Sequence, residues 1–326
     1  MKGRFRFRVS SKRVIFDFTI RRNITVIKGD SATGKTTLLN MLYEYLRTGR
    51  ESGFSVSADT EYYVYLRREV GRSWWEAFEP LKNVVIFIEE NNDFVHTEEF
   101  ASYVRNSGNY FVFVNRSPLR MLPYSIHEVF EIVTEKKHHD IKESYHKFRE
   151  LYSNYPEIRY DNLKKIITED SNSGFDFFKA AYSDKDLISA GGNANVAGML
   201  GKESNVLAIV DGAAFGAFIE DAIAISESRT DARISLWMPE SFEYLILNSG
   251  ILGNESITET LSDPSGFVES SKYESWEQYF TWLLEDCTRE TDHPYKKSRL
   301  HPYYTQKRIM EKISDQLPDA IRQRQS

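Results

Sequence analysis

Apolar and polar residues alternate over residues 4–9, Arg4-Phe5-Arg6-Phe7-Arg8-Val9, and again over 14–20, as in strands with one buried face. Residues 10–13 form the predicted turn between them. A short apolar run, 24–27, leads straight into Gly29. Leu38, Leu39, Leu42 and Leu46 then recur at helical spacing within 35–46. Further strands are predicted at 62–66, 84–88, 110–114 and, after the turn-rich 118–125, at 129–133. Strands separated by helical stretches imply an α/β domain with a parallel sheet and helices on both faces. That domain is expected to occupy residues 1–135.

Residues 136–160 are charged and aromatic and read as a bridging helix. A second, smaller α/β alternation fills 161–250. Its strands are expected at 165–168, 187–190, 206–210 and 234–238, and its helices at 175–182 and 218–225. Residues 251–326 read as an extension: a loop over 250–271, rich in Gly, Ser and acids, followed by helices at 276–284 and 306–313. No repeat or low-complexity tract interrupts the chain.

Composition narrows the classes. A length of 326 residues, 41% hydrophobic and 28% charged, fits a folded protein of two domains. The net charge of −6 provides no overall basic field to recruit nucleic acid. The N-terminus is nevertheless basic, with nine Lys and Arg up to Lys28 and Asp17 as the only acid among them. The single Cys287 excludes an internal disulfide and suits a reducing compartment. No signal-peptide pattern is visible, and the longest apolar runs are far too short to span a bilayer. A cytoplasmic location without membrane association is therefore expected.

Gly29-Asp30-Ser31-Ala32-Thr33-Gly34-Lys35-Thr36 fits G-x-x-x-x-G-K-[ST] without a mismatch, between a predicted strand and a predicted amphipathic helix. In such a P-loop the glycines let the chain wrap around phosphates, which successive N–H groups and the helix N-terminus bind. Lys35 is expected to reach the β/γ-phosphates of ATP, and Thr36, followed by Thr37, to lie against Mg²⁺ and phosphate. The apolar strand 84–88 runs into Glu89-Glu90. Glu89 is expected at the Mg²⁺ water shell, where Asp is usual, and Glu90 as the general base that orients the attacking water. Asn115 ends the next strand and is either a γ-phosphate sensor or an ordinary turn residue.

With these motifs, residues 1–135 resemble the ATPase domain of ABC-type and OLD-family (overcoming lysogenization defect) proteins. The chain departs from them in lacking an LSGGQ-like signature and the helical insertion that carries it. The second alternation resembles a Toprim domain. That resemblance rests on Ile166-Ile167-Thr168-Glu169-Asp170, Ser173-Gly174, Ser189-Ala190-Gly191-Gly192-Asn193 and Val206-Leu207-Ala208-Ile209-Val210-Asp211-Gly212-Ala213. It implies that Glu169 and Asp211 gather Mg²⁺ at the strand ends. The position of the family's second aspartate holds Ala213. Glu243 resembles the further acid that OLD-like Toprim domains place after their last strand.

Other candidates have plainer readings. Lys296 and Lys297 are offered as a phosphate contact or, preferably, a solvated basic turn. His138, His139 and His146 read as a solvated helix face, since no Cys or acid is spaced to complete a metal site. Trp74 and Trp75 suit a core better than a base-stacking platform. The stripe of Arg4, Arg6 and Arg8 reads either as a phosphate-backbone contact or as the charged face of an edge strand.

The leading expectation is a homo-oligomeric ATPase whose Toprim-like domain acts on DNA or RNA. The alternative keeps the ATPase and makes the second domain a catalytically inactive regulatory or assembly module that binds a partner protein. A kinase sharing only the P-loop is disfavoured by the lack of a recognisable acceptor site or lid arginine cluster.

Overall fold

The N-terminal alternation forms a hairpin: β1 (Phe5–Ser10) pairs antiparallel with β2 (Val14–Ile20), with Phe7 opposite Phe18 and Val9 opposite Phe16. These four rings and side chains are buried, whereas Arg6 and Arg8 stay on the outer face and ion-pair with Asp17. The structure, a computed structural model, describes residues 1–29, 33–67, 73–135, 144–152 and 163–322. It divides into two units, Met1–Ser153 with Asp263–Ser275, and Asn154–Ser262 with Trp276–Ser326. The fold is mixed α/β. No helix among the described residues is long and apolar enough to cross a membrane.

In the first unit the remaining elements are β3 (Ile24–Lys28), α1 (Lys35–Thr48), β4 (Ser55–Ala58), β5 (Tyr62–Tyr65), α2 (Trp74–Phe78), β6 (Val85–Ile88), α3 (Glu98–Asn106), β7 (Tyr110–Val114), β8 (Val129–Glu135) and β9 (Ser144–Glu150). They build one nine-stranded sheet in the order β4-β1-β2-β9-β8-β3-β7-β6-β5. The five strands β8, β3, β7, β6 and β5 are mutually parallel, as expected of strands joined through helices. The sheet as a whole is not parallel, however. β9 runs antiparallel to β8 and parallel to β2, and so joins the N-terminal hairpin to the parallel strands.

That connection corrects the bridging helix expected over 136–160. Residues 136–143 and 153–162, with His138 and His139, lie outside the described residues; Ser144–Glu150 is strand. Phe148 stacks on Phe18 at 4.2 Å and contacts Phe130, and the Tyr145 hydroxyl donates to Asp17. Cross-strand aromatic packing outweighs the helical preference of a charged segment. His146 therefore faces Phe16 across a ring stack and is no part of a helix face. Likewise the arginine stripe is not on an edge strand, because the short β4 covers β1.

Alternate residues of the central strands face opposite layers. Tyr110, Val112 and Val114 pack into the layer of Leu38, Leu39 and Leu42 on α1, whereas Phe111 and Phe113 meet Phe100 of α3. Leu46 is 46% exposed and falls off the buried face of α1. Trp74 packs among Phe94, Phe100 and Tyr103, as a core residue does, while Trp75 is exposed. Residues 263–275 belong to this unit: the Met1 amine donates to Gly108 and Ser270 and ion-pairs with Glu269.

The second unit comprises β10 (Lys165–Thr168), α4 (Ser173–Ala181), β11 (Asp186–Ser189), α5 (Asn193–Leu200), β12 (Val206–Ile209), α6 (Ile219–Ser228), β13 (Ile234–Trp237), α7 (Phe242–Asn248), α8 (Glu255–Ser262), α9 (Trp276–Thr288) and α10 (Lys307–Ser314). Its four strands are all parallel in the order β11-β10-β12-β13. The 250–271 stretch, expected to be a loop, contains α8. Its Ile257 and Thr260 are buried, so an apolar stripe too short to stand out supports a helix.

One charge cluster in the first unit escapes the sequence pattern. Glu128, fully buried, accepts from Arg21 at 2.7 Å and from the Thr25 hydroxyl at 3.1 Å, with Arg22 at 3.4 Å. Burial pushes the Glu128 carboxyl up, and the two arginines oppose that. Glu128→Ala strips the arginines of this partner and is expected to cost about 3–5 kcal/mol in a urea or thermal melt. A loss of only about 0.5 kcal/mol, typical of a surface position, would exclude the cluster as a determinant of stability.

Candidate functional site

The parallel strands of the first unit bring the predicted loop and acids to one sheet edge. β3 ends at Lys28, and Gly29 follows with φ 120°; Gly34, with φ 99°, begins α1. Both values suit glycine, and other L-residues adopt them only with strain. Asp30, Ser31 and Ala32 lie outside the described residues. α1 starts with no acid in its first turn and no side-chain cap from Gly34, so no carboxylate within that turn offsets the positive end of its dipole. Lys35 is buried and donates to the Gly29 carbonyl and, at 3.2 Å, to the Thr33 hydroxyl.

Two clefts meet around Thr36 and Glu90. One, of about 480 Å³, is lined by Thr36, Asn40, Arg67, Glu89 and Glu90. The other, of about 540 Å³, is lined by Thr33 to Thr37 with Phe16, Glu90, Arg116 and His146. Glu89 accepts from the Arg67 N–H at 2.9 Å. Glu90 is ion-paired with Arg116 at 3.2 Å, a partner that sequence reasoning did not assign. Asn115 is buried at the end of β7, where its N–H donates to Ile27. Its side-chain Nδ2 has no partner among the described residues.

In the second unit β10 and β12 are adjacent and parallel, with Thr168 opposite Ile209. Glu169 follows β10 directly and Asp211 follows β12 by one residue more, so both carboxylates reach the same edge. The Asp211 N–H donates to Glu169 at 3.2 Å. Glu277, from the first turn of α9, joins them: one ligand oxygen from each of Glu169, Asp211 and Glu277 lies within 4.8 Å of the others. In an octahedral Mg²⁺ shell with bonds of about 2.1 Å, neighbouring oxygens are about 3 Å apart and opposite ones about 4.2 Å. The three oxygens thus fit one hard cation with a small closure, and an all-oxygen donor set suits Mg²⁺, Mn²⁺ or Ca²⁺.

Glu243 sits in the first turn of α7, behind the Ser241 cap, and is 1% exposed. Its Oε1 accepts from the Tyr295 hydroxyl at 2.7 Å, and that hydroxyl also hydrogen-bonds Ser173. Its Oε2 is buried without a partner among the described residues. Glu169, Asp211, Glu243 and Lys297 line one cavity of about 30 Å³. Lys297 ion-pairs with Glu277, so it is not part of a solvated turn; Lys296 beside it is exposed. Ala213 is buried, and its N–H donates to the Glu240 carbonyl.

The electrostatics follow from burial and crowding. Burial, reinforced by Glu277, pushes the Glu169 carboxyl up to about 8. Burial and then Glu169, Glu277 and Glu243 push Asp211 well above the usual carboxylate range. Glu243 is raised by burial, with Lys297 pulling the other way. Burial works against charge on Lys297, but Glu277, Glu243 and Asp211 outweigh it and hold its pKa above the ordinary lysine value.

Glu277 was missed in the sequence because an acid in the first turn of a helix reads as a partner for the helix dipole. Comparison of the chain with protein-family models, curated proteins and solved structures finds no match.

Glu169 keeps its proton in the folded state over a pH range in which the unfolded chain has lost it. Stability without metal therefore falls as pH rises from about 4.5 to about 8. Thermal melts in chelator across that window should show this decline, and Glu169→Gln should flatten it. Identical slopes in the two proteins would contradict the assignment.

Proposed function

We propose that this chain is a nucleotide-dependent protein that acts on nucleic-acid phosphodiesters through a divalent-metal centre in its second unit. The observation that carries the reading is the convergence of Glu169, Asp211 and Glu277 to within 4.8 Å at the end of a parallel sheet, where α/β folds bind ligands. The buried, unpartnered Glu243 Oε2 in the same cavity supports it. A metal bound there supplies Lewis-acid polarisation of a phosphoryl oxygen and a more acidic bound water. The similarity of the Glu169, Asp211 and Glu243 motifs to Toprim domains of OLD-type nucleases favours nucleic acid as the substrate.

The first unit fits ATP with Mg²⁺. Supporting this are the complete G-x-x-x-x-G-K-T string, the two glycines at positive φ, the acid-free N-terminus of α1, and the acids beside Thr36. In this reading Lys35 meets the β/γ-phosphates, Thr36 and Glu89 lie at the Mg²⁺ shell, and Glu90 orients the attacking water once Arg116 releases it. Ala213 favours the alternative, an inactive second unit that serves regulation or assembly. Glu277 weakens that alternative, because it restores a third carboxylate to the cluster.

Four variants test the two halves separately. Asp211→Ala should abolish Mn²⁺ binding to the second unit and Mn²⁺-dependent DNA or RNA cleavage while leaving ATP binding intact; undiminished cleavage would overturn the nuclease reading. Lys35→Ala should weaken ATP binding or turnover about tenfold or more, and wild-type values for both would overturn the nucleotide reading. Glu90→Gln should bind ATP yet turn it over about 10²-fold more slowly. Normal turnover in Glu90→Gln beside an inactive Glu89→Gln would reverse the roles of the two acids.

A further inference from the structure

We propose that Lys297 is the resident second cation of this acidic cavity, so that the site takes one divalent ion beside a fixed ammonium. The inference rests on the metal reading above and specifies its charge complement. Glu169, Asp170, Asp211 and Glu243 line the cavity together with Lys297, and Glu277, paired with that lysine, brings a further carboxylate oxygen to within 4.8 Å of Glu169 and Asp211. Carboxylates crowded in this way repel unless cations intervene.

Lys297 is held in place by its backbone. Its carbonyl accepts from Ser173 N–H at 2.9 Å at the start of α4, and its own N–H donates to Glu285 on α9 at 3.4 Å. Its ammonium therefore approaches Glu277 from a fixed loop, unlike the exposed Lys296 next to it. Pairing with Lys297 engages one Glu277 oxygen, and a carboxylate has a second for a metal. Space agrees with charge. Two-metal sites hold their ions about 3.5–4 Å apart, whereas this cavity of about 30 Å³ suits a single ion. The second independent sign of a ligand is the buried, unpartnered Glu243 Oε2. Ala213 fits the same picture, since a site with one metal needs fewer carboxylate ligands.

The test is Mn²⁺ stoichiometry, measured by calorimetry on the full chain without nucleotide, counting only the ions that Asp211→Ala removes. The wild type should bind one ion per chain. Lys297→Met should admit a second, or bind the first about tenfold more tightly, a coupling within the usual range between interacting sites. Two ions in the wild type, or unchanged binding in Lys297→Met, would overturn the proposal and leave the metal reading standing. Absence of any ion dependent on Asp211 would overturn both.

Should Lys297→Met fail to fold, amine labelling of the wild type read by mass spectrometry decides. Lys297 protected equally with and without Mn²⁺ supports a resident cation. Labelling that rises on adding Mn²⁺ would show that the metal evicts it, and would overturn the proposal.

Discussion

The second unit is organised around buried negative charge. An isolated carboxylate taken from water into a protein interior costs several kcal/mol even after relaxation, and it persists only where hydrogen bonds or cations compensate. Among the described residues, Glu169, Asp211 and Glu243 accept from the Asp211 N–H, the Phe242 N–H and the Tyr295 hydroxyl, respectively. These donors leave carboxylate oxygens over, and Glu243 Oε2 is buried with no partner among the described residues. The raised pKa values of all three acids express the same deficit. The Ser173–Tyr295–Glu243 chain and the anchored Lys297 backbone hold the acids in place against their mutual repulsion.

Parallel pairing does the positioning. When neighbouring strands run the same way, whatever follows each strand lands on one edge, so residues far apart in sequence meet without long side chains. In the second unit this brings together Glu169 and Asp211 from β10 and β12. In the first it brings together Gly29, Glu89 and Asn115 from β3, β6 and β7. The edges differ in size. The clefts beside Thr36 are about 480 and 540 Å³, large enough for a small molecule, whereas the acid-lined cavity is about 30 Å³ and ion-sized. A cavity of that size has room for an ion but not for a nucleotide or other small molecule.

What could be read from the sequence was what local pattern determines. The apolar runs at 84–88, 110–114 and 206–210 become β6, β7 and β12 because a buried parallel strand needs an unbroken apolar stretch. Glu169 and Asp211 could be placed together because each ends such a run. β9 could not be read: Ser144–Glu150 is mostly polar and charged, and contacts with residues distant in sequence, among them Phe16, Phe18, Phe130 and Asp17, make it a strand. Glu277, and the pairing of Lys297 with it, were hidden for a related reason. A helix-start glutamate and a turn lysine look solvated until α9 and the following loop are folded against the β10–β12 edge.

Glu277 shows that an acidic cluster at a sheet edge can draw a member from outside the strands. A hard cation recognises oxygen positions and net charge, and the sequence position supplying each oxygen makes no difference to it. Ala213 offers no carboxylate at the β12 edge, and its buried N–H is committed to the Glu240 carbonyl. Glu277 adds a carboxylate from α9, within 4.8 Å of the two strand-end acids. Coming from a helix that also places Glu285 against the Lys297 backbone, it brings its own counter-charge close by. A carboxylate paired with a lysine adds an oxygen ligand with almost no added net charge. A Glu277–Lys297 pair beside the strand-end acids therefore offers oxygen to a cation while leaving those acids less positive charge to recruit.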